Sequence, residues 1–326
     1  MLEEITDFVQ AARKSAPGNP FWIMDGTFGD GGHSIHFSRL FPGVRVLAWD
    51  RDPEMMERGS HNAAEAGIKT RRSEKGDLPE DGEIGLFQGP FSGAARILRE
   101  LGIHPAFILI DCGVSIHHFR TAARGFSFQD EKLDMRLSPD LPLTAEEIVN
   151  SWELEDLVRI FSEFGEEPRS KTIARKIIEN RPIHSASALA GLIDQGHREK
   201  IHPATRVFQA LRIAVNGELD ELQNAMEDLP ALLRPGGMLS VLTFHSLEDR
   251  IVKRAFQAIG ERKKEPSARR LKYRTVTEPD YLILTRRPVE ASAAEISRNP
   301  PSRSAKLRVL QKHTENNRDE TAEGGS

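Results

Sequence analysis

The sequence predicts an α/β fold, an open and mostly parallel sheet into which an all-helical domain is inserted. Three observations predict it. Short apolar runs that end in an aspartate, Phe21–Asp25, Val44–Asp50 and Ala106–Asp111, are separated by helical patterns, the rhythm of strand–helix–strand units. The first run leads into a glycine-rich turn, Gly26-Thr27-Phe28-Gly29-Asp30-Gly31-Gly32, and then into a segment with helical character. From Thr144 to about Arg198 the apolar residues keep helical spacing and no strand interrupts them.

Taken in order, Ile5, Phe8, Val9 and Ala12 share one face of a helix over residues 3–14. The first strand, Phe21–Asp25, precedes the glycine turn and a helix from His33 to Leu40. The second strand is Val44–Trp49. Asp52 then serves as N-cap and Pro53 as first-turn residue of the next helix. Residues 61–82 are polar and read as the end of that helix followed by a surface loop. A third strand is expected at Ile84–Phe87. A fourth, Ala106–Asp111, is continuously apolar, as a strand covered on both faces must be. Residues 112–136 look loop-like. Beyond the helical segment, His202-Pro203-Ala204-Thr205-Arg206 opens one long helix with an apolar stripe through Val207, Leu211, Ile213, Val215, Leu219 and Leu222. Met238–Phe244 is the fifth strand, and Ser246 with Asp249 caps the helix after it. Tyr281–Thr285 is a late strand paired antiparallel with Lys272–Val276. The expected division is 1–120 and 204–312 for the sheet domain, 121–203 for the helical insertion and its loop, and 313–326 for a disordered tail.

Composition bounds the function. The chain of 326 residues carries a net charge of −4, which argues against indiscriminate affinity for nucleic acid. The positive charge is concentrated in two runs, Arg262 to Arg274 and Arg298 to Lys312, which read either as solvated faces or as contacts for a polyanion. No apolar run approaches the ~20 residues that span a bilayer. Met1-Leu2-Glu3-Glu4 lacks the layout of a signal peptide, and a lone Cys112 suits a reducing cytoplasm.

The turn carries the chemistry. Its glycines let a small molecule approach the backbone, and the next helix points free N–H groups at it. The dinucleotide fingerprint fails, because Ser34 stands where Gly or Ala is required. Asp25 and Asp30 flank the turn, and carboxylates there suit a cation such as the sulfonium of S-adenosylmethionine. Asp50, about 20 residues beyond the turn, is placed to accept ribose hydroxyls. A tight turn with no ligand is the plain alternative. Phe91 stands where a ring can pack on adenine, or is simply a core residue at a strand end. Arg124-Gly125-Phe126-Ser127-Phe128-Gln129 and Leu133-Asp134-Met135-Arg136 combine rings and cations as RNA-binding loops do, an ordinary surface loop being the alternative. His33, His117, His118 and His245 lack any metal-binding spacing, so no metal is expected.

Several motifs then coincide in order. They are D-G-T-F-G-D-G-G-H-S from Asp25, W-D-R-D-P from Trp49, G-P-F-S from Gly89, R-G-F-S-F-Q from Arg124 and L-D-M-R from Leu133. H-P-A-T-R-V-F-Q-A-L-R-I-A-V-N-G-E-L follows from His202, P-G-G from Pro235, F-H-S-L-E-D-R-I-V-K from Phe244 and S-R-S-A-K-L-R from Ser302. With these the chain closely resembles the ribosomal small-subunit methyltransferase H family. The resemblance implies a class I S-adenosylmethionine-dependent methyltransferase (Rossmann-like) sheet with an inserted helical domain. It also implies methylation of N4 of a decoding-centre cytidine in 16S rRNA within the small ribosomal subunit. By the same resemblance Gly31, Gly32, His33, Asp50, Phe91, Asp111 and His118 contact the methyl donor. The family usually has S-S-P-Q where this chain has Ser115-Ile116-His117-His118. It also carries a His-x-Pro-Val segment ahead of L-E-E, which here is replaced by a start at Met1. That contact is expected either to precede this sequence or to be absent.

The expected reaction is an in-line displacement, with N4 held about 3–3.5 Å from the methyl carbon. Asp111, His245 and Ser246 are the candidates at the reacting end. Arg124, Phe126, Phe128, Arg136 and Arg206 are the candidate RNA contacts, with Phe126 or Phe128 stacking on a flipped cytosine. An inactive RNA-binding protein of the same fold, and a methyltransferase for DNA or a small molecule, are the rival readings.

Overall fold

The computed structural model describes residues 1–73, 77–120, 124–194, 202–260 and 280–314. The chain forms two compact units, Met1–Gly113 with Glu221–Ser326, and Val114–Asp220.

The strands, in chain order, are β1 (Phe21–Asp25), β2 (Val44–Asp50), β3 (Thr70–Arg72), β4 (Ile84–Gln88), β5 (Phe107–Asp111), β6 (Met238–Thr243), β7 (Tyr281–Ile283), β8 (Val289–Glu290) and β9 (Lys306–Lys312). The helices are α1 (Leu2–Ser15), α2 (Gly32–Leu40), α3 (Pro53–Glu65), α4 (Ala94–Leu101), α5 (Ile116–Arg120), α6 (Ala145–Ser151), α7 (Leu154–Glu163), α8 (Ser170–Glu179), α9 (Ala186–Ile193), α10 (Thr205–Asn216), α11 (Glu218–Leu232), α12 (Ser246–Gly260) and α13 (Ala293–Arg298).

All the described strands join one sheet in the first unit, in the order β3-β4-β2-β1-β5-β6-β9-β7, with β8 paired to β9. β1 to β6 run parallel, whereas β9 is antiparallel to β6, β7 and β8. Alternation along each strand feeds two cores. Phe21 and Ile23 of β1 face Ile5, Val9, Phe37 and Met56 of α1, α2 and α3. Trp22 and Met24 face Leu98, Leu222, Met226, Val252 and Phe256 of α4, α11 and α12. β1 lies between β2 and β5, so the chain leaves β1 in one direction and later returns to its other side. That is the switch point at which open α/β sheets bind ligands, outside the carboxyl ends of the strands.

Three strands depart from the expectation. β3 lies within the stretch read as helix end and loop; its Thr70-Arg71-Arg72 has no apolar signal because it is an edge strand. β8 adds a two-residue rung. β9 was legible only as a basic run, yet it is an interior strand whose Leu307, Val309 and Leu310 are buried. Arg308 is buried with them because its Nε and Nη2 lie 2.6 and 3.1 Å from the Asp249 carboxylate. The proposed strand Lys272–Val276 falls outside the described residues.

The second unit is helical. Leu157 and Phe161 of α7, Ile173 and Ile177 of α8, Leu189 of α9 and Val207 and Leu211 of α10 form its core, together with Phe126, Leu133 and Met135 from the preceding loop. The single long helix expected after His202 is two. Gly217 takes φ +61°, a left-handed C-cap that glycine adopts without a Cβ clash, and α11 begins at the next residue. α10 packs within this unit, which therefore extends beyond residue 203 to Asp220.

Candidate functional site

The carboxyl ends of β1, β2 and β5 carry Asp25, Asp50 and Asp111, and each has a different task. Asp25 is wholly buried. Ser34 Oγ donates to its Oδ2 at 2.6 Å and the Thr27 N–H to its Oδ1 at 3.1 Å, so it clamps the glycine turn onto α2. Burial raises its pKa, and the Ser34 bond offsets part of the rise. Asp30 is partly exposed and paired with Arg58. The two acids expected to face a cation are thus committed to the turn and to its outer surface.

The turn itself is held tightly. The Gly26 N–H donates to Leu109 O at 2.8 Å, and a Cβ on Gly26 would meet Phe91 Cβ at 3.0 Å and Leu109 O at 3.3 Å. Gly31, at φ +81°, is the N-cap of α2, which begins at Gly32 and places His33 in its first turn. Asp50 bridges two backbone segments, accepting the Gly29 N–H on Oδ2 at 2.7 Å and the Asp52 N–H on Oδ1 at 2.9 Å. Asp52 caps α3 through the Glu54 N–H with Pro53 behind it, as its spacing predicts. Phe91 opens a short 3-10 turn after β4 and is half-buried against the second core.

Asp111 is the acid with an oxygen not committed to the turn. Its N–H donates to Thr27 Oγ1 at 2.8 Å, which fixes the end of β5 against the turn. Its Oδ1 is buried and has no hydrogen-bond partner among the described residues. Oδ2 lies 3.9 Å from His33 Nδ1. Burial, followed by the charges of Asp25 and Glu248, pushes the Asp111 pKa up to about 7. His33 is pushed down to about 4 by burial, with His36 adding to the effect, so it is neutral at pH 7 and gives Asp111 no cationic partner. A half-buried carboxylate held in this state favours a positive charge brought to it.

At the end of β6 the cap differs by one residue from the expected Ser246 and Asp249. Glu248 accepts the Phe244 N–H at 2.8 Å and the His245 N–H at 3.4 Å, and its own N–H points at His245 Nδ1 at 3.4 Å. His245 and Glu248 therefore make the reciprocal cap, and Ser246 is the first helical residue. Asp249 is drawn away to Arg308. Glu248 is nearly inaccessible and was missed by sequence reasoning; its signal was a glutamate three residues after the cap position.

The remaining candidates belong to the second unit. His118, in α5, is buried with its ring 5.3 Å from that of Phe126. Phe126 is a core residue. Arg124 donates to the carbonyls of Arg136 and Leu137, at 2.8 and 3.2 Å. Arg136 makes a two-bond pair with Asp134, 2.8 Å for each bond. These arginines and Phe126 brace the loop. Phe128 is half-buried, stacked on His202 at 4.5 Å and edge-on to Phe208 at 4.7 Å. Arg206 is exposed, 3.9 Å from buried Glu167. The run from Arg262 to Arg274 lies outside the described residues.

Glu221, in α11, is a second residue the sequence did not offer. Its Oε1 accepts the Phe91 N–H at 2.8 Å and its Oε2 is ion-paired with Arg51. The partners are 130 and 170 residues away, so no local pattern reveals them.

Comparison with known proteins gives a consistent result. A family model described as the MraW methylase family matches residues 1–313. A ribosomal RNA small subunit methyltransferase H of Treponema denticola is 39% identical over 321 residues, covering 96% of each chain. The protein of that name from Synechococcus elongatus is 39% identical over 302 residues, covering 91% of this chain and 90% of the relative. The one from Acidobacterium capsulatum is 41% identical over 295 residues, covering 88% and 91%.

Proposed function

The chain belongs to the MraW methylase family, and from that premise we propose that it transfers a methyl group from S-adenosylmethionine to N4 of a decoding-centre cytidine in 16S rRNA. We place the reaction in the cytoplasm, on the small ribosomal subunit. Among the described residues no helix is long and apolar enough to cross a membrane.

The observation that carries the reading is Asp111. A buried carboxylate oxygen with no hydrogen-bond partner among the described residues sits at the switch point, beside a glycine turn whose Gly31 caps α2 with its first-turn N–H groups. Both features fit a cationic donor laid along the strand ends. Gly31, Gly32 and His33 would receive it along the backbone, Asp50 would accept ribose hydroxyls, Phe91 would pack on the base, and Asp111 would face the positive charge. When bound there, the donor supplies a methyl group on a sulfonium, already activated for displacement.

The protein's own work is on the acceptor. The lone pair of cytosine N4 is delocalised into the ring, so an acceptor for its hydrogens must localise it. Asp111, as a carboxylate at the end of β5, can accept a hydrogen bond from the N4 amino group and take up the proton that N4 loses. His245 and Ser246 stand at the end of β6, next to β5, as the further candidates for the acceptor side.

Calorimetry with S-adenosylmethionine, followed by transfer of labelled methyl to small subunits, tests the reading. Binding and transfer are expected, with transfer lost in Asp111→Ala. Absence of donor binding, or near-wild-type turnover in a folded Asp111→Ala, would refute it.

A further inference from the structure

We propose that Glu221 is a positioning residue for the adenosine half of the methyl donor. It holds together the two strand ends from which Asp50 and Phe91 project. The inference rests on the donor site proposed above.

Glu221 is buried in the first unit, where an unpartnered carboxylate is costly. Its two oxygens reach two different segments. Oε2 pairs with the guanidinium of Arg51, the residue that follows Asp50 at the end of β2. Oε1 accepts the N–H of Phe91, the first residue of the turn after β4. β2 and β4 are neighbours in register, with Asp50 opposite Gln88, and the Gly89 N–H donates to Asp50 O at 2.8 Å. One carboxylate thus closes a ring of contacts running from Asp50 through Arg51 and Glu221 to Phe91.

Two consequences follow from this arrangement. The Phe91 backbone is held at its N–H, which fixes the position from which its ring projects. Arg51 is directed onto Glu221, which ties the residue after Asp50 to α11. Asp50 itself is anchored by the backbone N–H groups of Gly29 and Asp52. Glu221 acts on the ligand through these two partners, Phe91 and Arg51. Its effect should therefore fall on affinity for the adenosine portion and spare the chemistry at Asp111.

Glu221→Gln keeps an acceptor for the Phe91 N–H and removes the charge that directs Arg51. Dissociation constants for adenosine and for S-adenosylmethionine are expected to rise together, by about 10-fold, the usual effect of weakening a charge-assisted hydrogen bond. KM for the donor should rise with them, while kcat at saturating donor stays within about two-fold. If Glu221→Gln does not fold, Arg51→Gln/Glu221→Gln removes both charges at once and is expected to show the same joint loss. Unchanged adenosine affinity in either folded variant would overturn the proposal, as would a fall in kcat with KM unchanged. A lower melting temperature with intact affinity would make Glu221 structural only and would also overturn it. Wild-type protein that binds neither ligand would instead strike the donor site itself, which separates that failure from this one.

Discussion

Asp111→Asn tests the electrostatics of the crevice most sharply, because it should strengthen the fold while weakening donor binding. In the unfolded chain the Asp111 carboxyl ionises near 3.8, and in the folded protein burial pushes it up to about 7. Between those values the folded state keeps a proton that the unfolded state has released. Wild-type stability therefore falls as pH rises through this window and levels off above about 7. A shift of about 3 units corresponds to a ceiling of about 4 kcal/mol. The side chain is 28% exposed, and access to water reduces the expected penalty to about 2–3 kcal/mol. The asparagine carries no charge, so it escapes that penalty. Urea denaturation at pH 4 should find the two proteins within about 1 kcal/mol, and at pH 8.5 should find the variant more stable by about 2–3 kcal/mol. Calorimetry at pH 8.5 should show donor affinity reduced at least about 10-fold. Equal pH slopes, or a variant less stable at pH 8.5, would refute the reasoning.

Other perturbations follow from the same contacts. Glu248→Gln removes the carboxylate that accepts the Phe244 and His245 N–H groups, and should cost about 1–2 kcal/mol by thermal denaturation. It also removes a charge that raises Asp111, so the Asp111 pKa should move down when followed by carboxyl-carbon NMR. Arg308→Met takes the guanidinium from Asp249 in the interior of the sheet and should cost about 3 kcal/mol; Asp249→Leu in the same chain should recover most of it. Ser240 Oγ is buried in β6 with no hydrogen-bond partner among the described residues, so Ser240→Ala should raise stability by about 1 kcal/mol in denaturant titrations.

What could be read from the chain divides along physical lines. The interior parallel strands were legible because burial on both faces forces continuous apolar runs, as in Phe107–Asp111. The glycine turn and the Asp52–Pro53 start of α3 were legible because their signals are local. β9 was not, because Arg308 is neutralised by Asp249, 59 positions away, and a cation in sequence looks like a surface. The Gly217 break was present as Asn-Gly-Glu but was overridden by an apolar stripe that continues through both helices. In the crevice, the aspartates were legible as residues at the strand ends, but what each one bonds to was not. Whether a carboxylate clamps a turn, as Asp25 does, or keeps an oxygen unbonded among the described residues, as Asp111 does, depends on which N–H and O–H groups folding brings to it. Glu221 lies beyond local pattern for the same reason.

The central claim is that a methyl group passes from a donor held by the ends of β1, β2 and β5 to one nitrogen of one base. The direct measurement is nuclease mapping and mass spectrometry of 16S rRNA from small subunits treated with the purified protein and isotope-labelled S-adenosylmethionine. The account predicts the label on N4 of a single decoding-centre cytidine, and none when Asp111→Asn replaces the wild type. Label on another atom or base, or unchanged labelling by the variant, would contradict it.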